Sequence, residues 1–286
     1  MTKTEVELVC DGGPQIGYGH IRRSLTLADA LRRIGINSHI TGISDDAKSF
    51  IPLQPRMEHL ADVVVLDSPH GLDQRIKSAR DRGQRVIALD WFGEIEPDIA
   101  IVIYPHSNVR ARLRSCIGVE FQIIRPEIAN TRRPCEGDGV VVLLGGGDLL
   151  GQGHLAANQL AQLGLRVTLI QGPLATNREL SDLYEVVVDP PDLPSRLAAS
   201  AWLVTNGGSC MFEAMCLGKA TLVLPQTPAE SALANFLFER GGLLGVGMEY
   251  LKAYDEKRCS VIASRASVLV DGQGVNRVAK IVQGLL

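Results

Sequence analysis

The chain alternates two rhythms of apolar residues. Short runs rich in Val, Ile and Leu predict strands at residues 6–10, 37–41, 62–67, 85–90 and 99–104. Between them the spacing lengthens: Ile21, Leu25, Ala28, Leu31 and Ile34 mark one face of a helix, and residues 72–82 read as another. Strands alternating with helices predict a parallel sheet covered on both faces, with ligands bound beyond the carboxyl ends of the strands. The loops at residues 11–19, 67–71 and 90–93 are therefore expected on one rim.

Residues 125–139 break this pattern, with Pro126, Arg132, Arg133, Pro134, Glu136, Gly137, Asp138 and Gly139 and little that is apolar. A linker is expected there, with the domain boundary near 131–138. The pattern then starts afresh. Strands are predicted at 140–144, 166–171, 185–188, 201–205 and, as the last, 221–224. Helices are predicted at about 153–163, 210–217, 229–240, 255–269 and 274–286. Two Rossmann-type domains follow, 1–131 and 138–286, as the length of 286 residues suits.

Glycine-rich turns follow strands in both halves. The first, Asp11-Gly12-Gly13-Pro14-Gln15-Ile16-Gly17-Tyr18-Gly19-His20, puts a histidine at a helix start. Free N–H groups and the positive dipole end make such a start a place for anions. Arg22 and Arg23 come next, where cations oppose the dipole, so either a bound phosphate or plain exposure to water must offset them. The second half has Gly145-Gly146-Gly147-Asp148 and Asn206-Gly207-Gly208-Ser209, the latter opening a helix that carries Glu213.

Composition narrows the class. The chain is 45% hydrophobic and 21% charged, as in a soluble globular protein. Its net charge of -3 does not point to nucleic acid, and no stretch is long and apolar enough for a membrane span. Cys10, Cys116, Cys135, Cys210, Cys216 and Cys259 form no CxxC pair, which predicts free thiols in a reduced, cytoplasmic protein. With no Asp-x-Asp at a strand end and no Cys/His cluster, no metal is expected. His39, His59, His106 and His154 read as structural or exposed, and Asp62 and Asp73 as caps or solvated ends. Trp91-Phe92 reads as a stacking surface for a sugar or as a plain wall.

Several stretches run through the chain in a common order: Ile16-Gly17-Tyr18-Gly19-His20-Ile21-Arg22-Arg23 with Leu25, Leu27 and Ala28; Gly118-Val119-Glu120-Phe121 with Ile124-Arg125-Pro126-Glu127; Gly145-Gly146-Gly147-Asp148; Asn206-Gly207-Gly208-Ser209 with Glu213, Leu217 and Gly218; and Asp271-Gly272-Gln273-Gly274 with Arg277. Together they resemble the UDP-2,4-diacetamido-2,4,6-trideoxy-altropyranose hydrolases of pseudaminic acid biosynthesis, and the spore coat polysaccharide proteins of the same type. That family is similar in fold to the GT-B glycosyltransferases, especially the N-acetylglucosaminyl transferase of peptidoglycan synthesis. The resemblance implies an α/β chain of GT-B type, two Rossmann-like domains facing each other across a cleft.

By resemblance His20 is the general base that activates water against the anomeric carbon, a role suited to an ordinary imidazole pKa of about 6.5. The alternative is a ring that caps the helix start. Gly17, Tyr18, Gly19, Arg23, Asp67 and His70 are expected on the substrate side, with Asp11 and Asp90 also able to orient the sugar or His20. Gly207, Gly208 and Ser209, beside Asn206, would bring N–H groups and a hydroxyl to the pyrophosphate. Gly146 and Gly147 are either a turn or a second wall of that site. Glu213 would accept the ribose hydroxyls, or is a first-turn acid favoured by the dipole. The substrate implied is a UDP-sugar hydrolysed with inversion, without cofactor, metal or protein partner.

The family pattern is not complete. A tyrosine is expected in the loop after the third strand, where this chain has Asp67-Ser68-Pro69-His70. An Asn-Gln pair is expected after the last strand, where it has Leu224-Pro225-Gln226-Thr227-Pro228-Ala229-Glu230-Ser231. Glycosyl transfer, or nucleotide-sugar binding without catalysis, are the alternative readings.

Overall fold

The computed structural model describes residues 5–14, 16–55, 57, 59–103, 115–131, 137–175, 179–253 and 255–286. Gln15, Tyr104, His106, Cys135 and the linker stretch 132–136 lie outside the described residues.

The first unit alternates β1 (Val6–Cys10), α1 (Gly19–Arg33), β2 (Ser38–Gly42), α2 (Asp45–Phe50), β3 (Val63–Asp67), α3 (Leu72–Asp81), β4 (Arg85–Leu89), β5 (Ile99–Val102) and β6 (Ser115–Ile117). Every neighbouring pair is parallel, in the order β2-β1-β3-β4-β5-β6. All five residues of β3 are buried, as a central strand covered on both faces requires. Chain order reverses between β1 and β3, so the loops after these strands flank the topological switch point, where open α/β sheets bind ligands. Sequence periodicity missed α2 and β6. The former is a single short helix opened by Ser44, whose side chain accepts from the Ala47 N–H.

The second unit runs α4 (Pro126–Ala129), β7 (Val140–Leu143), α5 (Gln152–Gln162), β8 (Val167–Gln171), β9 (Glu185–Val188), α6 (Leu193–Ala199), β10 (Trp202–Thr205), α7 (Ser209–Cys216), β11 (Ala220–Val223), α8 (Pro228–Glu239), β12 (Gly245–Val246) and α9 (Glu256–Leu269). Its sheet is also parallel, in the order β12-β11-β10-β7-β8-β9, with the reversal between β7 and β10. The strand expected to be last, β11, is followed by the two-residue β12, too short to show a period.

The units divide as 1–125 with 272–286, and 126–271. This moves both expected limits. Near the linker, α4 belongs with the second unit, where it packs against α7 and Ile128 is fully buried. At the other end, α10 (Gly274–Gln283) belongs to the first unit rather than the second. Val275, Val278, Ala279 and Val282 recur at helical spacing and bury in the same core as Ile21, Leu27 and Leu31 of α1.

Candidate functional site

At the switch point of the first unit four charged or titratable side chains converge. His20 and Arg23 lie three residues apart in the first turns of α1, hence on one face. Asp67 is the last residue of β3, opposite Cys10 of β1, and Asp90 follows β4. His20 Nδ1 stands 2.7 Å from Asp67 Oδ1. Arg23 donates from Nε to Asp67 Oδ2 at 3.1 Å, from Nη2 to Asp67 Oδ1 at 2.5 Å and from Nη1 to Asp90 Oδ2 at 2.6 Å. Asp90 holds a left-handed φ of 47°, a conformation that Asp tolerates better than most side chains but that still costs energy.

Asp67 is 1% exposed, and burial alone would raise its carboxyl pKa. The charges and hydrogen bonds of Arg23 and His20 outweigh burial and hold it below the ordinary carboxylate range. Burial would likewise lower the Arg23 guanidinium pKa, and Asp67 and Asp90 drive it upward instead. An ionised Asp67 only accepts hydrogen bonds, so His20 Nδ1 must carry the proton that points at it. Arg23 Nη2 also lies 3.0 Å from His20 Nδ1, but two donors cannot bond to each other; both converge on Asp67 Oδ1. The lone pair of the neutral ring is then at Nε2, which has no hydrogen-bond partner among the described residues.

Arg23 therefore corrects one expectation. What offsets a cation at this helix start is two carboxylates, neither a phosphate nor water. Arg22, by contrast, is exposed. Asp11 is also committed elsewhere: its Oδ1 accepts from the Gly12 N–H and from Ser44 Oγ, tying the first glycine turn to α2. Gly17 takes φ 80°, and its N–H donates to the Gly13 carbonyl at 2.7 Å, so this amide closes the turn instead of facing a ligand. Tyr18 precedes Gly19 at the helix start and turns its ring onto Phe50 of α2, with centroids 4.0 Å apart. His70 is exposed, and its backbone closes a turn with Ser68 Oγ. Trp91 is buried and Phe92 half exposed, so Trp91 is not a stacking platform. Asp73 accepts from the Glu94 and Ile95 N–H groups, an ordinary loop cap. Cys10, beside the cluster, is a buried thiol whose pKa burial pushes up to about 11.

In the second unit Gly145, Gly146 and Gly147 follow β7, and Asn206, Gly207, Gly208 and Ser209 follow β10, so both turns flank that unit's switch point. A residue not singled out in the sequence organises them. Glu230 of α8 accepts from Asn206 Nδ2 at 2.7 Å, from the Gly207 N–H at 3.1 Å and from the Gln226 N–H at 2.8 Å. Gly207 has to be glycine here, since a Cβ would stand 2.7 Å from Glu230 Cβ. Its N–H is thus engaged by a carboxylate and not open to a pyrophosphate; Gly208 and Ser209 are half buried, and no side chain caps α7. Asn206 Oδ1 is buried without a hydrogen-bond partner among the described residues. Asp148 caps α5 through the Gln152 and Gly153 N–H groups. Glu213 is buried within α7 but beyond its first turn, which removes the helix-dipole alternative. The Thr227-x-x-Glu230 spacing was the available signal for Glu230: Thr227 does cap α8, while the Glu230 carboxylate turns to the glycine loop instead of back to the cap.

Among the described residues no group of three or more His, Cys, Asp or Glu is placed to hold a metal, and no helix is long and apolar enough to cross a membrane. No family model matches the sequence. Over an alignment of 337 residues the chain is 23% identical to the spore coat polysaccharide biosynthesis protein SpsG of Bacillus subtilis (strain 168), covering 98% of each. Its fold matches MurG of Acinetobacter baumannii with a TM-score of 0.67 at 13% identity, covering 98% of this chain and 99% of that one. It matches Anabaena Alr3699/HepE, solved in complex with UDP-glucose, with a TM-score of 0.62 at 13% identity, covering 98% and 100%. The chain therefore has the GT-B glycosyltransferase-like fold, built from two parallel-sheet Rossmann-like units.

Proposed function

We propose that the protein is a nucleotide-sugar hydrolase that removes UDP from a UDP-linked acetamido-deoxy sugar during surface-glycan or nonulosonic acid synthesis. The observation that carries this reading is the His20–Asp67 pair: an imidazole whose Nδ1 is anchored on a buried carboxylate, which leaves Nε2 as the base. Water bonded to Nε2 gives up a proton to it as its oxygen attacks the anomeric carbon. The bond from that carbon to the phosphate oxygen breaks, and UDP leaves with the electron pair. A single displacement from the opposite face inverts the anomeric centre. In the second unit, the main-chain N–H groups and the dipole at the start of α7 suit an anionic group such as a nucleotide phosphate. Likeness in sequence to a polysaccharide biosynthesis protein, and in fold to a protein solved with UDP-glucose, supports the substrate class.

Glycosyl transfer would use the same base with an alcohol in place of water; the proline at position 69, where the hydrolases carry tyrosine, keeps it as the second reading. The test is incubation with a panel of UDP-sugars in ¹⁸O-labelled water. Release of UDP with label in the sugar supports hydrolysis at carbon. Label in the nucleotide phosphate means attack at phosphorus and removes His20 from this role. Binding without release leaves a nucleotide-sugar binding protein.

A further inference from the structure

The candidate site holds one more carboxylate than its arginine needs. Arg23 Nη2 stands 3.0 Å from His20 Nδ1. A guanidinium that close opposes positive charge on the imidazole. Asp67, bonded to both groups, favours that charge, so Arg23 and Asp67 largely cancel at the ring. Asp90 is the surplus: Arg23 Nη1 donates to its Oδ2 at 2.6 Å. With both carboxylates ionised, the cluster carries a net negative charge while His20 is neutral and none once the ring is protonated. The Asp67 side chain is 1% exposed and that of Arg23 12%, so solvent screens these charges weakly.

Asp90 is fixed where this charge is felt. Its N–H donates to the Ile101 carbonyl at 2.8 Å, and its φ of 47° is a strained conformation of the kind that collects at functional sites. Glycine meets the same backbone at no steric cost but brings no charge. The other ionisable groups on the elements packed against α1 are engaged or distant. Glu7 and His39 face each other in register at the amino ends of β1 and β2, away from the site. Asp11 accepts from Ser44, and Cys10 is a buried thiol with a raised pKa. On α10, Arg277 donates to the Glu120 carbonyl and Lys280 is exposed, as are Arg22 of α1 and Asp46 of α2.

We propose that Asp90 is a positioning residue that acts through Arg23: it supplies the negative charge that offsets His20 when Nε2 takes up a proton. The step balances within the cluster. An O–H bond of water breaks, an N–H bond forms at Nε2, and the surplus charge of Asp90 is neutralised as the imidazolium appears. The inference rests on the hydrolase reading only for the source of that proton.

The test follows the His20 ring by NMR titration of the full chain without substrate, with its signals assigned by their loss in His20→Gln. Asp90→Asn tolerates the left-handed backbone and keeps an oxygen for Arg23 Nη1, but removes the charge. Its His20 midpoint should lie roughly 0.5–1 pH unit below that of the wild type, as expected for one charge lost a guanidinium away in a partly screened site. Asp90→Gly, which relieves the backbone, should shift it the same way and serves if Asp90→Asn does not fold. A midpoint that stays or rises in a folded variant overturns the inference. With a UDP-sugar that is turned over, the acid limb of kcat/KM should move to lower pH by the same amount; a rate that falls with the limb in place means a structural role only, and also overturns it. A lowered midpoint in a protein that releases UDP from no sugar refutes the hydrolase reading and leaves the charge role of Asp90 standing, whereas UDP release with an unmoved midpoint refutes only this inference.

Discussion

Replacing Asp67 by Asn keeps the size of the side chain and removes the charge on which the candidate site is built. In the wild type both carboxylate oxygens are used, one by His20 and Arg23 together and the other by Arg23 Nε. Removing one member of a buried ion pair costs about 3–5 kcal/mol. Asp90 stays to neutralise Arg23, so we take the low end, about 3 kcal/mol, which for a chain of this size lowers the melting temperature by roughly 6–12 °C. The chemical effect is separate. An Asn amide facing His20 Nδ1 donates to it, which moves the ring proton to Nε2 and removes the lone pair that should accept from water. Turnover of a UDP-sugar should then fall by about 10²–10⁴-fold, the usual contribution of a positioned base. Long-range ¹H–¹⁵N spectra read the tautomer directly: Nδ1–H in the wild type, Nε2–H in Asp67→Asn. Undiminished turnover with an unchanged tautomer would refute the anchoring role of Asp67. The pH dependence has a definite sign. The Asp67 pKa is depressed in the folded state, so its contribution is complete above the ordinary carboxylate value near ~3.9 and is lost as pH falls through the lower, folded value. The stability gap between wild type and Asp67→Asn should therefore be flat at neutral pH and close only on strong acidification; a gap that closes between neutrality and pH ~5 contradicts this account.

Gly207→Ala places a Cβ 2.7 Å from Glu230 Cβ and 2.8 Å from the Glu230 carbonyl oxygen, so overpacking should cost about 1–3 kcal/mol; an unchanged urea midpoint would count against it. Glu230→Gln turns one acceptor oxygen into a donor facing the N–H groups of Asn206, Gly207 or Gln226, and should destabilise by about 1–3 kcal/mol in thermal melts, with wild-type stability as the contrary result. Cys10 should resist iodoacetamide at about pH 8 in the folded protein, since burial first, then Asp67 and Asp11, raise its thiol pKa against the opposing Ser24 hydrogen bond; prompt alkylation detected by mass spectrometry would contradict the burial.

Much of the fold was legible because local periodicity and fold agree. The Val63-Val64-Val65-Leu66 run could only be a covered strand, and the glycine turns did fall at carboxyl ends. What the pattern could not supply was the partner of each apolar or charged face. Val275, Val278 and Val282 announce a helix with one buried side, but nothing local tells which core takes that side, and α10 returns to the first unit. Arg23 shows the same limit in the candidate site. The sequence reads it as a cation in a first helical turn, with phosphate or solvent as the local answers, whereas it is the fifth residue of α1. The actual partners, Asp67 and Asp90, come from other strand ends, which only the parallel register brings alongside α1. This changes the chemistry expected of the site. An arginine locked between two carboxylates keeps Asp67 ionised beside His20, and its own charge is already met. Glu230 in turn engages the first N–H of the third glycine turn. For an anion, that turn then keeps the main chain at Gly208 and Ser209 and the dipole of α7 behind them, with Glu230 Oε1 3.5 Å from where a Cβ on Gly208 would stand.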